Sequence, residues 1–188
     1  MPTMDRFVQR IALLGFALVL AWLTACARSP KSSGDGLEKE VQNALAVLPY
    51  YRAFDNVTFA INGGAATLSG QVTTAALKKD AEKAVKSIGG VERVENKIEV
   101  LPPSRRDDQI RLEIYAATYG QRELRNYAGE AVAPVHIIVK NANVTLVGTV
   151  NSAKDKTLFV ETAAGVAGVT SVTDHLQLPW QVTLSTTN

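Results

Sequence analysis

Apolar and polar residues alternate in several short stretches of this chain. Val57, Phe59 and Ile61 alternate with polar or small residues, and the alternation continues over residues 66–72 after the turn signal Asn62-Gly63-Gly64. Alternation with a period of two predicts a strand that buries one face, and an Asn-Gly sequence between two such stretches predicts a hairpin. Residues 57–72 are therefore expected to form two paired antiparallel strands.

Helical spacing precedes and follows this hairpin. Leu37, Val41 and Leu45 lie four positions apart, which favours an amphipathic helix with its apolar stripe facing a core. A second helix is expected over residues 75–87, and a third strand over residues 91–100. The predicted order is helix, strand, strand, helix, strand.

The same order recurs in the second half of the chain. A shift of 78 positions aligns residues 57–100 with residues 135–178 without a gap. Identical residues fall mainly at glycines and at apolar strand positions. The glycines repeated in this way are Gly70 with Gly148, and Gly90 with Gly168. A repeat of this size predicts two small domains of the same fold.

The second copy differs from the first ahead of its first strand. Ile110, Ile114, Ala117 and Leu124 continue the helical stripe. Nine more residues separate this helix from the strand than in the first copy. A longer helix or an added loop is expected over residues 122–134. His136 lies between two apolar strand residues, so alternation predicts that it faces away from the core.

The amino terminus predicts a secreted protein. Arg6 and Arg10 precede an uninterrupted apolar run over residues 11–23, which is typical of a secretory signal and short for a transmembrane helix. Leu23-Thr24-Ala25-Cys26 follows, and this resembles the lipobox of bacterial lipoproteins. The resemblance implies cleavage before Cys26 and acylation of its thiol and its new amino group. A non-lipidated signal or an uncleaved anchor is the alternative.

Ala27 follows the predicted lipidated cysteine. The absence of aspartate at this position resembles the outer-membrane class of Gram-negative lipoproteins. The resemblance implies a lipid-anchored protein of the cell envelope, on the outer membrane and facing the periplasm. Several acyl chains would hold such a protein on the membrane stably, whereas one chain binds marginally.

Two motifs, each present twice, carry a family resemblance. LSGQV at residues 68–72 and LVGTV at residues 146–150 place a glycine between apolar strand residues. GVERV at residues 90–94 and GVTSV at residues 168–172 introduce the last strand of each copy. This pattern resembles the BON domain. The resemblance implies an α+β fold, with two tandem modules of order αββαβ, each with two helices packed on a three-stranded mixed sheet.

The predicted elements divide the chain into six parts. These are a signal peptide (1–25), a flexible tether (26–36), a first BON domain (37–102), a linker (103–106), a second BON domain (107–180) and a tail (181–188). A lipoprotein with two BON domains resembles the dual-BON outer-membrane lipoproteins of proteobacteria. The resemblance implies phospholipid binding, mainly by the second domain, and a role in envelope integrity or stress tolerance. The alternative is a periplasm-facing scaffold that recruits envelope proteins.

Composition argues against other functional classes. The 188 residues carry a formal net charge of +2, which is too small to predict nucleic-acid binding. One cysteine and two histidines make a disulfide framework and a His-rich metal site improbable. No phosphate-binding loop, nucleophile elbow or HExxH motif is present. We therefore expect a binding protein rather than an enzyme, with no cofactor and no metal.

One helix of the second copy carries candidates for lipid contact. Arg111, Tyr115, Tyr119 and Arg122 follow at helical spacing beside the apolar stripe, and Arg125 comes shortly after. Tyrosines favour bilayer interfaces, and arginines attract anionic headgroups. These five residues are the predicted membrane-contact face. The alternative is that the tyrosines complete a small core while the arginines are solvated.

Overall fold

The computed structural model of the protein describes residues 34–128 and 133–179. The predicted signal peptide, Cys26, most of the tether and the tail lie outside the described residues. Both modules belong to one compact unit. In the described part of the chain, no helix is long and apolar enough to cross a membrane.

The first module has one mixed sheet and two helices. Its elements are α1 (Gly34–Ala46), β1 (Asn56–Asn62), β2 (Ala65–Val72), α2 (Ala75–Lys86), β3 (Arg93–Asn96) and β4 (Glu99–Val100). The strand β1 pairs with β2 in antiparallel orientation, as the hairpin prediction requires. Both β3 and β4 run parallel to β2 on its other side.

Asn96 divides the predicted third strand into two short ones. Its side-chain oxygen accepts the N–H of Ile98 at 3.1 Å, and its amide nitrogen donates to the Lys78 carbonyl at 2.9 Å and to Glu82 at 3.1 Å. An asparagine that binds the backbone two residues further on forms a turn, which competes with the hydrogen bonds of a strand. The continuous strand expected over residues 91–100 is therefore interrupted.

The second module repeats this arrangement. Its elements are α3 (Arg105–Tyr119), a 3₁₀ helix (Arg125–Ala128), β5 (Val135–Lys140), β6 (Asn143–Thr149), α4 (Ala153–Ala164) and β7 (Ser171–Gln177). The strand β6 pairs antiparallel with β5 and parallel with β7. The extra residues expected before the first strand include the 3₁₀ helix. The predicted α+β fold, with two helices and a mixed sheet in each module, is confirmed.

Each module has its own hydrophobic core, and α3 contributes to the second core with a different stripe from the predicted one. Ile110 and Ile114 are buried as expected. Ala117, however, is exposed, while Thr118 is buried. The Thr118 hydroxyl donates to the Ile114 carbonyl at 2.7 Å, so the buried polar group is satisfied within the helix.

Gly70 and Gly148 occupy equivalent positions where the neighbouring strand comes closest. Their φ angles are +109° and +139°, and an added Cβ would lie 2.2 Å and 2.0 Å, respectively, from a carbonyl oxygen of the chain alongside. Only a residue without a Cβ fits such a position without strain. The other repeated glycines, Gly90 and Gly168, also have positive φ.

Candidate functional site

A turn between α1 and β1 forms the junction of the two modules, and Asp55 holds it in place. The buried Asp55 carboxylate accepts the backbone N–H and the hydroxyl of Thr73 at 2.7 Å and 2.8 Å. It also accepts the N–H of Arg52 at 3.4 Å. Residues 52–55 are thereby fixed against the end of β2.

This turn contacts the second module through its backbone and a ring. The Ala53 carbonyl accepts the N–H of Ile137 at 2.6 Å, so the first module covers the outer edge of β5 at this residue. The Phe54 ring packs against the second core and lies edge-on to Tyr115, with centroids 5.8 Å apart. A covered strand edge cannot pair with a foreign strand, so the junction also protects β5.

His136 faces away from the core of the second module, as alternation predicts, but it is buried at this junction and is not at the surface. Only 9% of the residue is exposed, and its ring centroid lies 5.5 Å from that of Tyr51 in the first module. All residues from Val135 to Val139 are buried, because one face of β5 meets its own core and the other meets the first module. Alternation cannot separate inside from outside on a strand that is covered on both faces.

Burial lowers the pKa of His136, because removal from water disfavours the charged imidazolium. Backbone groups of Arg52 and Asp55 and the Asp55 carboxylate oppose this effect. The Nδ1 atom is buried and has no hydrogen-bond partner within the part of the chain that the structure describes. The junction therefore favours the neutral form of this histidine.

We expect the protein to lose stability as the pH falls below about 6.5, the ordinary pKa of histidine. In the unfolded chain His136 takes up a proton near that pH, whereas the native junction keeps it neutral to lower pH. The unfolded state then binds more protons, so the free energy of unfolding falls by up to about 1.4 kcal/mol per pH unit until the native pKa is reached. Denaturant titrations between about pH 5 and 7.5 measure this slope.

The two histidines of the chain offer a matched control for this experiment. His136→Phe should remove most of the slope near pH 6, while His175→Phe should retain it, because His175 is exposed. Equal slopes in wild type and His136→Phe would contradict the prediction.

A cleft of about 570 Å³ opens beside the junction turn. Its walls carry six aromatic rings from both modules, which are Tyr50, Tyr51, Phe54, Tyr115, Tyr119 and Tyr127. Among the described residues that line it, Arg52 alone is charged. The volume lies within the usual range of small-molecule sites, which are mostly apolar with a few polar groups.

The rim of the cleft exposes large apolar side chains. Tyr50 is 81% exposed, Leu112 is 61% exposed, and Tyr115, which lines the cleft with them, is 37% exposed. Arg122 and Arg125 follow α3, are exposed, and form no ion pair with the described residues. Exposed apolar clusters of this kind mark interaction sites. We call Tyr50, Leu112 and Tyr115 the apolar rim.

Two of the five predicted membrane-contact residues are buried, so their assignment to an exposed face is corrected. Arg111 is 3% exposed, and its guanidinium donates to the Asp108 carboxylate and to the Val139 carbonyl. Tyr119 is 8% exposed and packs edge-on against Phe159. The buried face of α3 is therefore wider than its apolar stripe, because it includes Arg111, which donates a hydrogen bond to the Val139 carbonyl of β5. Tyr115, Arg122 and Arg125 are the candidates that remain accessible.

The Tyr119 hydroxyl is buried at the cleft and has no hydrogen-bond partner among the described residues. Burial raises the pKa of Tyr119 and the neighbouring Tyr115 raises it further, so the hydroxyl stays protonated. The Tyr119 hydroxyl therefore keeps the proton that it needs to donate a hydrogen bond. Sequence reasoning missed Tyr50, Arg52 and Leu112 as parts of this site, although the aromatic cluster after α1 was a signal.

No group of three or more histidine, cysteine, aspartate or glutamate residues that could hold a metal ion occurs within residues 34–128 and 133–179. The site instead offers ring faces, hydroxyl groups and arginines. Two modules of order αββαβ, joined at an aromatic cleft, define a tandem binding protein. The family model of the BON domain matches residues 33–102 and 107–179, and the chain therefore belongs to the BON-domain family. The resemblance inferred from the sequence is confirmed.

BON domains are non-catalytic binding domains that in general bind membranes or phospholipids, and proteins of the family are generally associated with the periplasm or envelope. No curated protein matches the chain. Two solved structures of CdsD, a structural protein of the Type III secretion system of Chlamydia trachomatis, align with it at 15% identity and a TM-score of 0.28. They cover 80% and 76% of this chain and 96% of their own. A TM-score this low supports no inference about function.

Proposed function

We propose that this protein binds anionic phospholipid surfaces through the apolar rim and the exposed arginines that follow α3, Arg122 and Arg125. The observation that carries the proposal is the exposure of Tyr50 and Leu112 at an aromatic cleft. The described residues that line it include a guanidinium and no carboxylate. Tyrosine and leucine enter the interfacial region of a bilayer, and each arginine near an anionic surface contributes about 1 kcal/mol. The protein acts as a binding module and not as an enzyme.

Lipidation of Cys26 completes the proposal. Acyl chains on Cys26 would hold the protein on the outer membrane, facing the periplasm, and the rim would supply a second contact. Two weak membrane contacts on one molecule bind far more stably than either alone. A protein held in this way supports the integrity of the cell envelope by occupying a defined lipid surface.

Co-sedimentation of residues 32–188 with vesicles tests the rim without the lipid anchor. Wild type should bind vesicles that contain phosphatidylglycerol, and Tyr50→Ser with Leu112→Ser should reduce the affinity at least tenfold, because two exposed apolar groups leave the interface. Val47→Ser is the matched control, since Val47 is equally exposed but does not line the cleft. Equal binding by the rim variant and the Val47 variant would contradict the assignment of the surface.

The double variant Arg122→Ala with Arg125→Ala tests the electrostatic contribution to vesicle binding. Loss of two exposed cations should lower affinity for anionic vesicles roughly tenfold to thirtyfold at low salt, and by less at high salt, since exposed charges are screened. Arg93→Ala is the control, because Arg93 is exposed on β3 of the first module. If wild type binds neither anionic nor zwitterionic vesicles, the proposed surface is wrong and Cys26 alone makes the membrane contact.

The open edge of the second sheet favours one further function, recruitment of envelope proteins. Within the described residues β7 pairs with β6 on one side only, and most of its side chains are exposed. An unpaired edge can accept an extended strand from another protein. A pull-down from detergent extract that returns one stoichiometric partner, lost on replacement of Thr173 with proline, would support this role.

A further inference from the structure

We propose that the cleft seats a single phospholipid molecule, with the Tyr119 hydroxyl donating a hydrogen bond to an oxygen of its phosphodiester or ester groups. This inference rests on the proposed function and makes it more specific. The apolar rim would adsorb to the bilayer surface in general, whereas the cleft would hold one lipid at a defined position.

The polar groups of the cleft match the chemistry of this ligand. Tyr119 and Arg52 supply donors, and the described lining carries no carboxylate and no side-chain amide. The phosphodiester and ester region of a glycerophospholipid has several acceptors and no donor. A sugar would bring many hydroxyl donors that such a lining satisfies poorly. Donor and acceptor complementarity therefore favours the lipid.

The Tyr119 hydroxyl makes no hydrogen bond that would stabilise the described part of the fold. A buried hydroxyl without a partner is destabilising, and a phenylalanine at this position would retain the ring packing on Phe159. Other tyrosines of the cleft differ in this respect. The Tyr127 oxygen binds Asp155 and the N–H of Asn151, both at 2.8 Å, and the Tyr51 oxygen accepts the N–H of Val57 at 3.2 Å. Among the tyrosines that the described cleft buries wholly or in part, Tyr119 is thus the one whose hydroxyl is left without a partner and can donate to a ligand.

The cleft opens where the rim would meet the membrane. Tyr50, Leu112 and Tyr115 line the cleft and also form the exposed rim, so a lipid can enter from the bilayer without crossing water. The volume of about 570 Å³ suits the headgroup and ester region, while the acyl chains stay in the bilayer.

Calorimetric titration of residues 32–188 with dihexanoylphosphatidylglycerol, a soluble short-chain phospholipid, tests the proposal. Wild type should bind one molecule saturably, and Tyr119→Phe should weaken binding about tenfold, as expected for loss of one hydrogen bond to a charged acceptor. The same variant should unfold at an equal or higher denaturant concentration than wild type. Thr58→Val, which removes an exposed hydroxyl on β1 that does not line the cleft, should change neither quantity by as much as twofold.

Several outcomes would overturn the proposal. A variant Tyr119→Phe that is less stable but binds the lipid normally would show that the hydroxyl is structural. Equal affinity for glycerol 3-phosphate would show that the site binds a soluble phosphate ester. Binding of a proline-rich peptide in place of lipid would assign the cleft to a protein partner. If Tyr119→Phe binds anionic vesicles and the short-chain lipid like wild type, the cleft is excluded and the rim proposal survives. If wild type binds neither, both proposals fail.

Discussion

Replacement of Gly148 by alanine is expected to unfold the second module, with a loss of roughly 3 kcal/mol or more. The φ angle of Gly148 is +139°, a region that costs other residues about 1–3 kcal/mol. In addition, the new Cβ would lie 2.0 Å from the Pro134 carbonyl oxygen and 3.0 Å from the Val135 Cα. Both are backbone atoms that cannot rotate away, so β5 must separate from β6. Since β5 also binds Ala53, the module junction should loosen with it.

Denaturant unfolding with amide hydrogen exchange measures this loss in each module separately. Gly165→Ala is the matched control within the same module, because Gly165 has a φ of −77° and its Cβ would meet no atom closer than 3.5 Å. That variant should be neutral or slightly stabilised, since alanine restricts the unfolded chain. A Gly148→Ala protein with the wild-type unfolding midpoint would show that the strands have room that the structure does not show.

Replacement of Asp55 by alanine is expected to cost about 3 kcal/mol and to release the junction turn. The carboxylate is buried and accepts two short hydrogen bonds from Thr73, and hydrogen bonds to charged groups are worth about 1.5–3 kcal/mol each. Its removal leaves the Thr73 N–H without its acceptor. The turn then no longer presents Ala53 to Ile137, so the effect should extend into the second module.

The exchange rate of the Ile137 amide reports this release directly. It should rise in Asp55→Ala, rise less in Asp55→Asn, and stay unchanged in Asp80→Ala. Asp80 is a suitable control because it lies on α2 of the same module and its carboxylate makes no hydrogen bond or ion pair with the described residues. An Ile137 amide that remains fully protected in Asp55→Ala would show that the modules are held together by other contacts.

Three properties of the protein depend on the junction turn. Arg52 and Phe54 line the cleft, Ala53 binds β5, and His136 is buried against the same segment. A change that loosens the turn should therefore weaken lipid binding as well as stability. This connection predicts that Asp55→Ala and low pH act on the same contact, so their effects on stability should not add.

Local patterns in the sequence were sufficient for the fold of each module. The alternation over residues 57–72 predicted the hairpin, and the repeated glycines identified the family, because each pattern records how a strand packs within its own module. The sequence did not predict that Asn96 interrupts the third strand. An asparagine in an alternating stretch is expected to be an exposed strand residue, and only its side-chain hydrogen bonds show otherwise.

The site depended on contacts that no local pattern records. Tyr115 was found from helical spacing and tyrosine chemistry, but Arg111 and Tyr119 have the same spacing and are buried. What separates them is the position of α3 against the second sheet, where the Val139 carbonyl requires a donor and Phe159 offers a ring. Helical periodicity gives the direction of a side chain and not what lies in that direction.

The sequence by itself determined that this protein has two BON modules of α+β fold. Only the tertiary structure decided that these modules meet, that Ala53 binds Ile137, and that His136 is buried between them. The physical reason is that the residues which meet at the junction are far apart along the chain. Periodicity reports the burial of a residue by its own module, whereas the junction and its cleft bring together residues from separate modules, each of which has a complete local pattern without the other.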